Sequence, residues 1–407
     1  MSHRALWSAA LLTAAVGGFC QPAETPAVPA QVPPGAEATA TRLRQQLERL
    51  RQEGAGRRPL VPRTLVYART QVKYGLDRDY YRAWIDRPLF TDRATREPTI
   101  HATPLASFRR VVAIGQRYGI DGFAFFPETK GRLGVFEMIA QVAPESFGVL
   151  GEFVGSRDIE AKSAALAAAL QCPQAARVDG QLIITSYGAD SLPPAEWQTI
   201  LTALRHRHGD SFVFLPSVTA PVALRPDYDQ GRPLDEGELA RIKALLRAYL
   251  DVCDGLYFNY PAAFKNYDDR RTFDAGFYRD VFIPVFRSVL AEPAYRHKYF
   301  GLSACHAHYN ADLSLGLQED NTKTLRQSLE TALAAQPDVL ILPEWDEQNE
   351  NTSFRPTVCN SLSTLRILRC AMSQLKGAPP SPLAGDDPGI PNLVVSFRKL
   401  LVLGEEL

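Results

Sequence analysis

Net charge is the first thing this sequence lacks: across 407 residues, 45 lysines and arginines stand against 45 aspartates and glutamates. Without a basic field nothing draws the chain to nucleic acid or to an anionic membrane surface, so a neutral partner fits better. Cysteine is scarce as well. The 6 cysteines form no C-x-x-C pair, which argues against a structural zinc site and against a complete disulfide framework. With Cys20 set aside, Cys172, Cys253, Cys305, Cys359 and Cys370 are odd in number and read mainly as buried apolar thiols. No apolar run is long enough to span a bilayer as a mature helix.

The apolar run nearest the start, Ala5 to Val16 behind Arg4, has the length of a secretory h-region, so the chain is expected to be secreted or periplasmic, with residues 1–20 a signal peptide. Cys20 is the position at which a lipid anchor would be attached, although Phe19 replaces the small residue that such signals place before the cysteine. Residues 21–38 are rich in proline and alanine and read as a semi-rigid linker. Residues 39–62 hold a charged helix, Ala40 to Glu53, and its connection. Leucines 43, 47 and 50 have helical spacing and Gly54 ends the run; the stripe suits packing on the outside of a larger domain or a short coiled-coil contact.

What is abundant is apolar residue, at 45%, arranged in a repeated theme. Eight apolar runs read as buried strands: Thr64 to Ala68, Gly122 to Phe126, Phe147 to Val154, Leu182 to Thr185, Phe212 to Leu215, Gly255 to Phe258, Phe300 to Ala304 and Val339 to Leu342. Helical periodicity separates them. Strands apolar on both faces, alternating with helices, predict parallel strands covered by helices, and the simplest closed form is a (β/α)8 TIM barrel over residues 63–376. Asp121, Asp254 and Asp338 stand immediately before strands and are assigned to the non-catalytic rim. Residues 377–407 read as a linker and a strand-like run, Asn392 to Leu403, which either pairs with an edge of the main domain or begins a further β element.

Chemistry in such a barrel belongs at the carboxyl ends of the strands. The last strand runs into Glu344-Trp345-Asp346-Glu347-Gln348-Asn349-Glu350, and four crowded carboxylates are tolerated mainly where they do chemistry, bind a cation or lie in water. Glu347 and Glu350 are the candidate catalytic pair. Trp345, Asp346, Glu128, Tyr187, Asn259, Tyr260, His306, His308 and Tyr309, all at strand exits, are candidate sugar contacts, since rings stack on pyranose faces and short polar groups bond hydroxyls. Each has a plainer role too: rim packing for the tyrosines, or an ion pair with Lys130 or Arg132 for Glu128. His306 and His308, flanking Ala307 in a strand-like context, would face one way and could ligate a metal. Nothing in the pattern calls for a cofactor.

The segment Trp345 to Pro356 resembles the eighth-strand motif of glycoside hydrolase family 71, W-N-D-Y-G-E-S-x-x-I-x-P, and that of family 99, N-E-W-H-E-G-T-Q-I-E. Gly119 to Ala124 also looks family-like. Both families are (β/α)8 barrels. The resemblance implies cleavage of an α-linked neutral polysaccharide, α-1,3-glucan-like or α-mannan-like, by two acids three positions apart, read here onto Glu347 and Glu350. In family 99 the first acid is a base on the substrate's own 2-hydroxyl and the second is the general acid, roles that would fall to Glu347 and Glu350. Gln348, Asn349 and Asn351 depart from the patterns. Glycosidic cleavage needs one carboxyl protonated and one ionised, and mutual repulsion with unequal burial separates two such groups. Two other readings stay open: a non-catalytic carbohydrate-binding barrel, and a metal-dependent hydrolase using His306 and His308.

Overall fold

The computed structural model describes residues 36–71, 105–129, 132–258, 273–310, 315–317, 322–346, 352–354 and 362–379. The expected signal peptide, most of the linker, the C-terminal strand, Asn259, Tyr260, Glu347 and Glu350 lie outside the described residues.

All eight apolar runs are strands: β1 (Leu65–Arg69), β2 (Gly122–Phe125), β3 (Gly148–Val154), β4 (Gln181–Tyr187), β5 (Phe212–Leu215), β6 (Gly255–Leu256), β7 (Tyr299–Ser303) and β8 (Val339–Leu342). Every neighbouring pair in the order β5-β4-β3-β2-β1-β8-β7-β6 is parallel. The result is an α/β fold with a curled, largely parallel sheet whose convex side is covered by helices.

The apolar character of both strand faces has a simple origin. Successive residues of a strand alternate sides, and here they divide between two cores. Val66, Phe123, Phe125, Leu182, Phe212, Phe214, Leu340 and Leu342 belong to the core shared with the helices. Tyr67, Ala124, Leu150, Ile183, Val213, Leu215, Tyr257, Val339 and Ile341 fill the concave side.

The aspartate expectation is met in a specific form. Each of the three exchanges two hydrogen bonds with one residue of the adjacent strand. Asp121 donates its backbone N–H to the Val66 carbonyl at 2.7 Å and accepts the Val66 N–H at 2.8 Å. Asp254 does the same with Phe214, at 3.0 and 2.9 Å, and Asp338 with Phe300, at 2.7 and 2.8 Å. An arginine completes each latch: Arg63 on Asp121, Arg205 on Asp254 and Arg57 on Asp338. The latch of Asp254 also ties β6 to β5, the two ends of the ladder, where Tyr257 N donates to Pro216 O at 2.9 Å and Val218 N to Tyr257 O at 3.0 Å.

Burial pushes the Asp121 carboxyl up, but Arg63, the Val66 amide and Lys376 outweigh it and hold the group below the ordinary carboxylate range. A depressed folded-state value means stability that is fully present above the unfolded value of about 4 and is lost as pH falls through the folded value. Asp121→Asn is therefore expected to cost about 1–2 kcal/mol at pH 7, the lower part of the charged hydrogen-bond range because Arg63 is partly exposed. Denaturant melts should show the deficit shrinking below about pH 4; a deficit independent of pH would contradict the latch.

Where β2 approaches β3, only glycine fits. A Cβ at Gly122 would lie 1.9 Å from the Gly148 carbonyl oxygen, a backbone atom that cannot turn aside. Gly122→Ala should destabilise by at least the roughly 1–3 kcal/mol typical of overpacking, read as a lowered melting midpoint. An unchanged midpoint would refute this approach of the strands.

The N-terminal helix, α1 (Ala36–Gly54), starts inside the expected linker and packs on the outside of the sheet's helical layer, against the helix Ile283–Leu290. Leu43 and Leu50 are buried and Leu47 partly so. Gln46 and Arg49 bond Glu236, and Lys243 pairs with Glu53 at 2.5 Å. Elements without a clear sequence signal are the helix Gly134–Val142, the antiparallel pair formed by Arg177–Val178 with β4, and the hairpin of His308–Asn310 with Leu315–Leu317. Among the described residues no helix is long and apolar enough to cross a membrane. Cys172, Cys253 and Cys305 are buried free thiols and Cys370 is a half-buried one.

Candidate functional site

At the carboxyl ends of the strands the concave side changes from apolar to ionic. Two residues beyond Tyr67 on β1 stands Arg69; two beyond Leu150 on β3 stands Glu152; two beyond Ile183 on β4 stands Thr185. All three are fully buried. The Arg69 guanidinium holds Glu152 through Nε and, at 2.9 Å, through Nη2. Its Nη1 donates to Glu344 at 2.9 Å, and Nη2 also meets the Tyr257 hydroxyl at 3.2 Å. Thr185 donates to Glu152 at 3.0 Å. Burial alone would lower the Arg69 value, yet Glu152 and Glu344 hold it well above its usual range, so the group is a fixed cation. Burial likewise keeps Tyr257 protonated.

Glu344, the first residue of the acidic cluster, is thus pinned where β8 ends. Its second oxygen accepts from Gln71 Nε2 at 3.3 Å, and Gln71 accepts from Arg132 at 3.0 Å. The backbone is fixed on both sides of the segment 347–351. Trp345 N donates to Arg69 O at 2.5 Å, Glu344 N to Thr352 O at 3.1 Å, and Phe354 N to Glu344 O at 2.9 Å, while Ser353 Oγ bonds Trp345 O at 2.9 Å.

The expected sugar contacts divide sharply. Trp345 is a core residue, fully buried with its ring 5.3 Å from Phe123, and so gives no platform to a sugar. Asp346 is buried and accepts from Thr70 Oγ1 at 2.9 Å and Gln71 N at 2.7 Å, tying the β1 exit to the β8 exit. Glu128 is engaged by Lys162 at 2.7 Å, Val154 N at 2.9 Å and Ser156 at 3.3 Å. Its partner among the described residues is this buried lysine. Burial raises the Glu128 value and lowers that of Lys162, each opposed by the other's charge.

His306 is buried at a bend beyond β7, 6.3 Å from the Phe354 ring, and His308 is half-buried at the start of a strand. The two are not neighbours on one strand, so the alternation that would aim both at one metal does not apply. Among the described residues no three His, Cys, Asp or Glu gather as metal ligands. Tyr309 lies in the hairpin. Tyr187 ends β4 with 51% of its surface exposed.

Sequence reasoning passed over Arg69, Glu152, Glu344 and Tyr257 as site residues. Two signals were present. One is the period of two that carries each strand from a concave apolar residue to a polar one. The other is the tryptophan of the family 99 motif: with E-W-H-E set on Trp345, its glutamates lie on Glu344 and Glu347, one acid earlier than the expected pair.

A parallel α/β sheet with buried charge at its carboxyl ends defines the architectural class, and comparison with known proteins narrows it. No protein-family profile matches the sequence, and no curated protein matches it. The fold is similar to that of a GH99 endo-alpha-mannosidase from Bacteroides thetaiotaomicron bound to bis-tris propane, with a TM-score of 0.54 at 12% identity over 77% of this chain and 98% of that one. A second structure of the GH99 endo-alpha-mannosidase from that organism gives 0.49 at 14% identity over 72% and 83%. A glycoside hydrolase-like protein gives 0.49 at 12% identity over 78% and 96%. The fold likeness to family 99 that the sequence implied is therefore found in the structure.

Proposed function

We propose that this chain is an exported glycoside hydrolase that cleaves an α-linked neutral saccharide, α-mannan-like or α-1,3-glucan-like, on a (β/α)8 barrel closed at the seam between β5 and β6. The observation that carries the reading is Glu344, a carboxylate held at the carboxyl end of β8 by the buried Arg69 and by Gln71. In this reading Glu344 is the ionised member of the pair, its charge matched by the Arg69 guanidinium. That is the state required of a base or of a group that stabilises positive charge at the anomeric centre. Glu347, in the segment whose two ends are pinned there, is its partner and the general acid. Glu350, the partner that the family 71 spacing selects, is the rival for the second acid.

In this arrangement Arg69 orients Glu344, Asp346 and Ser353 hold the chain on either side of residues 347–351, and Glu347 delivers a proton to the departing oxygen. Incubating the purified chain with α-mannan, α-1,3-glucan and β-linked controls, and scoring new reducing ends, tests the reading. Reducing ends from an α-linked polymer alone are expected. Release from β-linked polymers only, or binding without release, would overturn it. Export is tested by the N-terminal sequence of protein recovered from outside the cytoplasm, expected to begin near residue 21.

A further inference from the structure

Among the described residues Tyr187 is a candidate sugar contact that stands exposed, and its surroundings make a built surface. Together with Leu133, at 38%, it is one of two large hydrophobic residues that stand exposed among the described residues. Both lie on the face where the strands end: Tyr187 closes β4, and Leu133 follows β2 in the connection that Arg132 ties to Gln71. The ring is held from two directions. Phe126 meets it edge to face, with centroids 5.7 Å apart and planes at 72°. The Arg69 guanidinium lies over both rings, 5.3 Å from the Phe126 centroid and 5.6 Å from that of Tyr187. A tyrosine with no role outside folding gains from burying its ring; here a positioned ring keeps half its surface in water, an arrangement suited to a ligand with an apolar face. One guanidinium separates it from Glu344, so a molecule cleaved beside Glu344 and extending over the sheet's rim would pass this ring.

We infer that Tyr187, braced by Phe126 and Arg69, is a stacking subsite for the apolar face of a hexopyranose unit displaced from the cleavage point, which makes the protein selective for chains over single sugars. The inference rests on the glycoside hydrolase reading and names a subsite of that site.

The test compares Tyr187→Ala and Tyr187→Phe. Binding of α-linked manno- and gluco-oligosaccharides of increasing length is measured by calorimetry in a Glu347→Gln background, which preserves the substrate. Turnover of an aryl monosaccharide glycoside is measured with Glu347 intact, and melting curves are recorded for every variant. Tyr187→Ala should weaken the longer oligosaccharides about tenfold, the loss of one good aromatic contact, and lower aryl glycoside turnover by a much smaller factor. Tyr187→Phe should bind like the parent. Unchanged oligosaccharide affinity in Tyr187→Ala, or an equal loss on both ligands, would overturn the subsite while the hydrolase reading stands. Failure of the parent protein to bind or cleave any of these sugars would overturn both.

Discussion

Glu347→Gln is expected to lose about 10²- to 10⁴-fold in turnover of the natural polymer, the usual share of general acid catalysis. It should keep much more activity on an aryl glycoside whose leaving group needs no proton. Glu344→Gln should be impaired on both substrates, because an ionised carboxylate is needed whatever the leaving group. Glu350→Gln should stay within a few-fold of the parent. Steady-state kinetics on the two substrates read all three variants at once. If Glu350→Gln shows the leaving-group dependence and Glu344→Gln turns over normally, the acids are Glu347 and Glu350 and the tryptophan register is wrong. Full activity of all three would remove the cluster from the chemistry.

The second large effect belongs to Arg69. Its guanidinium is the charge partner of both Glu152 and Glu344, and all three sit out of water. Arg69→Met preserves most of the volume and leaves two carboxylates facing each other with no cation between them. Breaking a buried pair from one side costs about 3–5 kcal/mol. The sign of the pH dependence follows. Two desolvated carboxylates that have lost their shared guanidinium are expected to have folded-state values raised above the unfolded value of about 4.3, so folding of the variant takes up protons and its stability relative to wild type improves as pH falls through those raised values. Denaturant melts across pH should show this, and Arg69→Met combined with Glu152→Gln should recover part of the loss. A deficit that deepens on acidification would contradict the network.

How much of this was legible in the sequence varies by element. Strands buried on both faces leave unbroken apolar runs, which is why Phe212 to Leu215 and Val339 to Leu342 could be placed with their neighbours. The rim aspartates were legible because each sits directly before its strand. The helix Gly134–Val142 was not: Leu133 precedes it without a side-chain cap and glycine opens it. Lys162 hides in an alanine-rich helix, and its partner Glu128 is 34 positions away. The partners of Arg69 stand 83 and 275 positions along the chain, so adjacency could not reveal them. Trp345 misled for a different reason. An aromatic beside acids suggests a sugar platform, yet it lies in the core shared with the helices, against Phe123.

The clasp of α1 sets an order on how the chain comes together during synthesis. The helix emerges from the ribosome early, but the glutamate that Gln46 bonds is made 190 residues later, and the helix Ile283–Leu290 later still. Until then its leucine stripe has no surface to cover. Its landing place is assembled from helices on either side of β6, a strand of two residues that pairs with β7 over those two alone. A newborn chain stopped before residue 290 would therefore display both an uncovered apolar stripe and an unfinished seam, the combination that holdase chaperones recognise, and completion of one conceals the other.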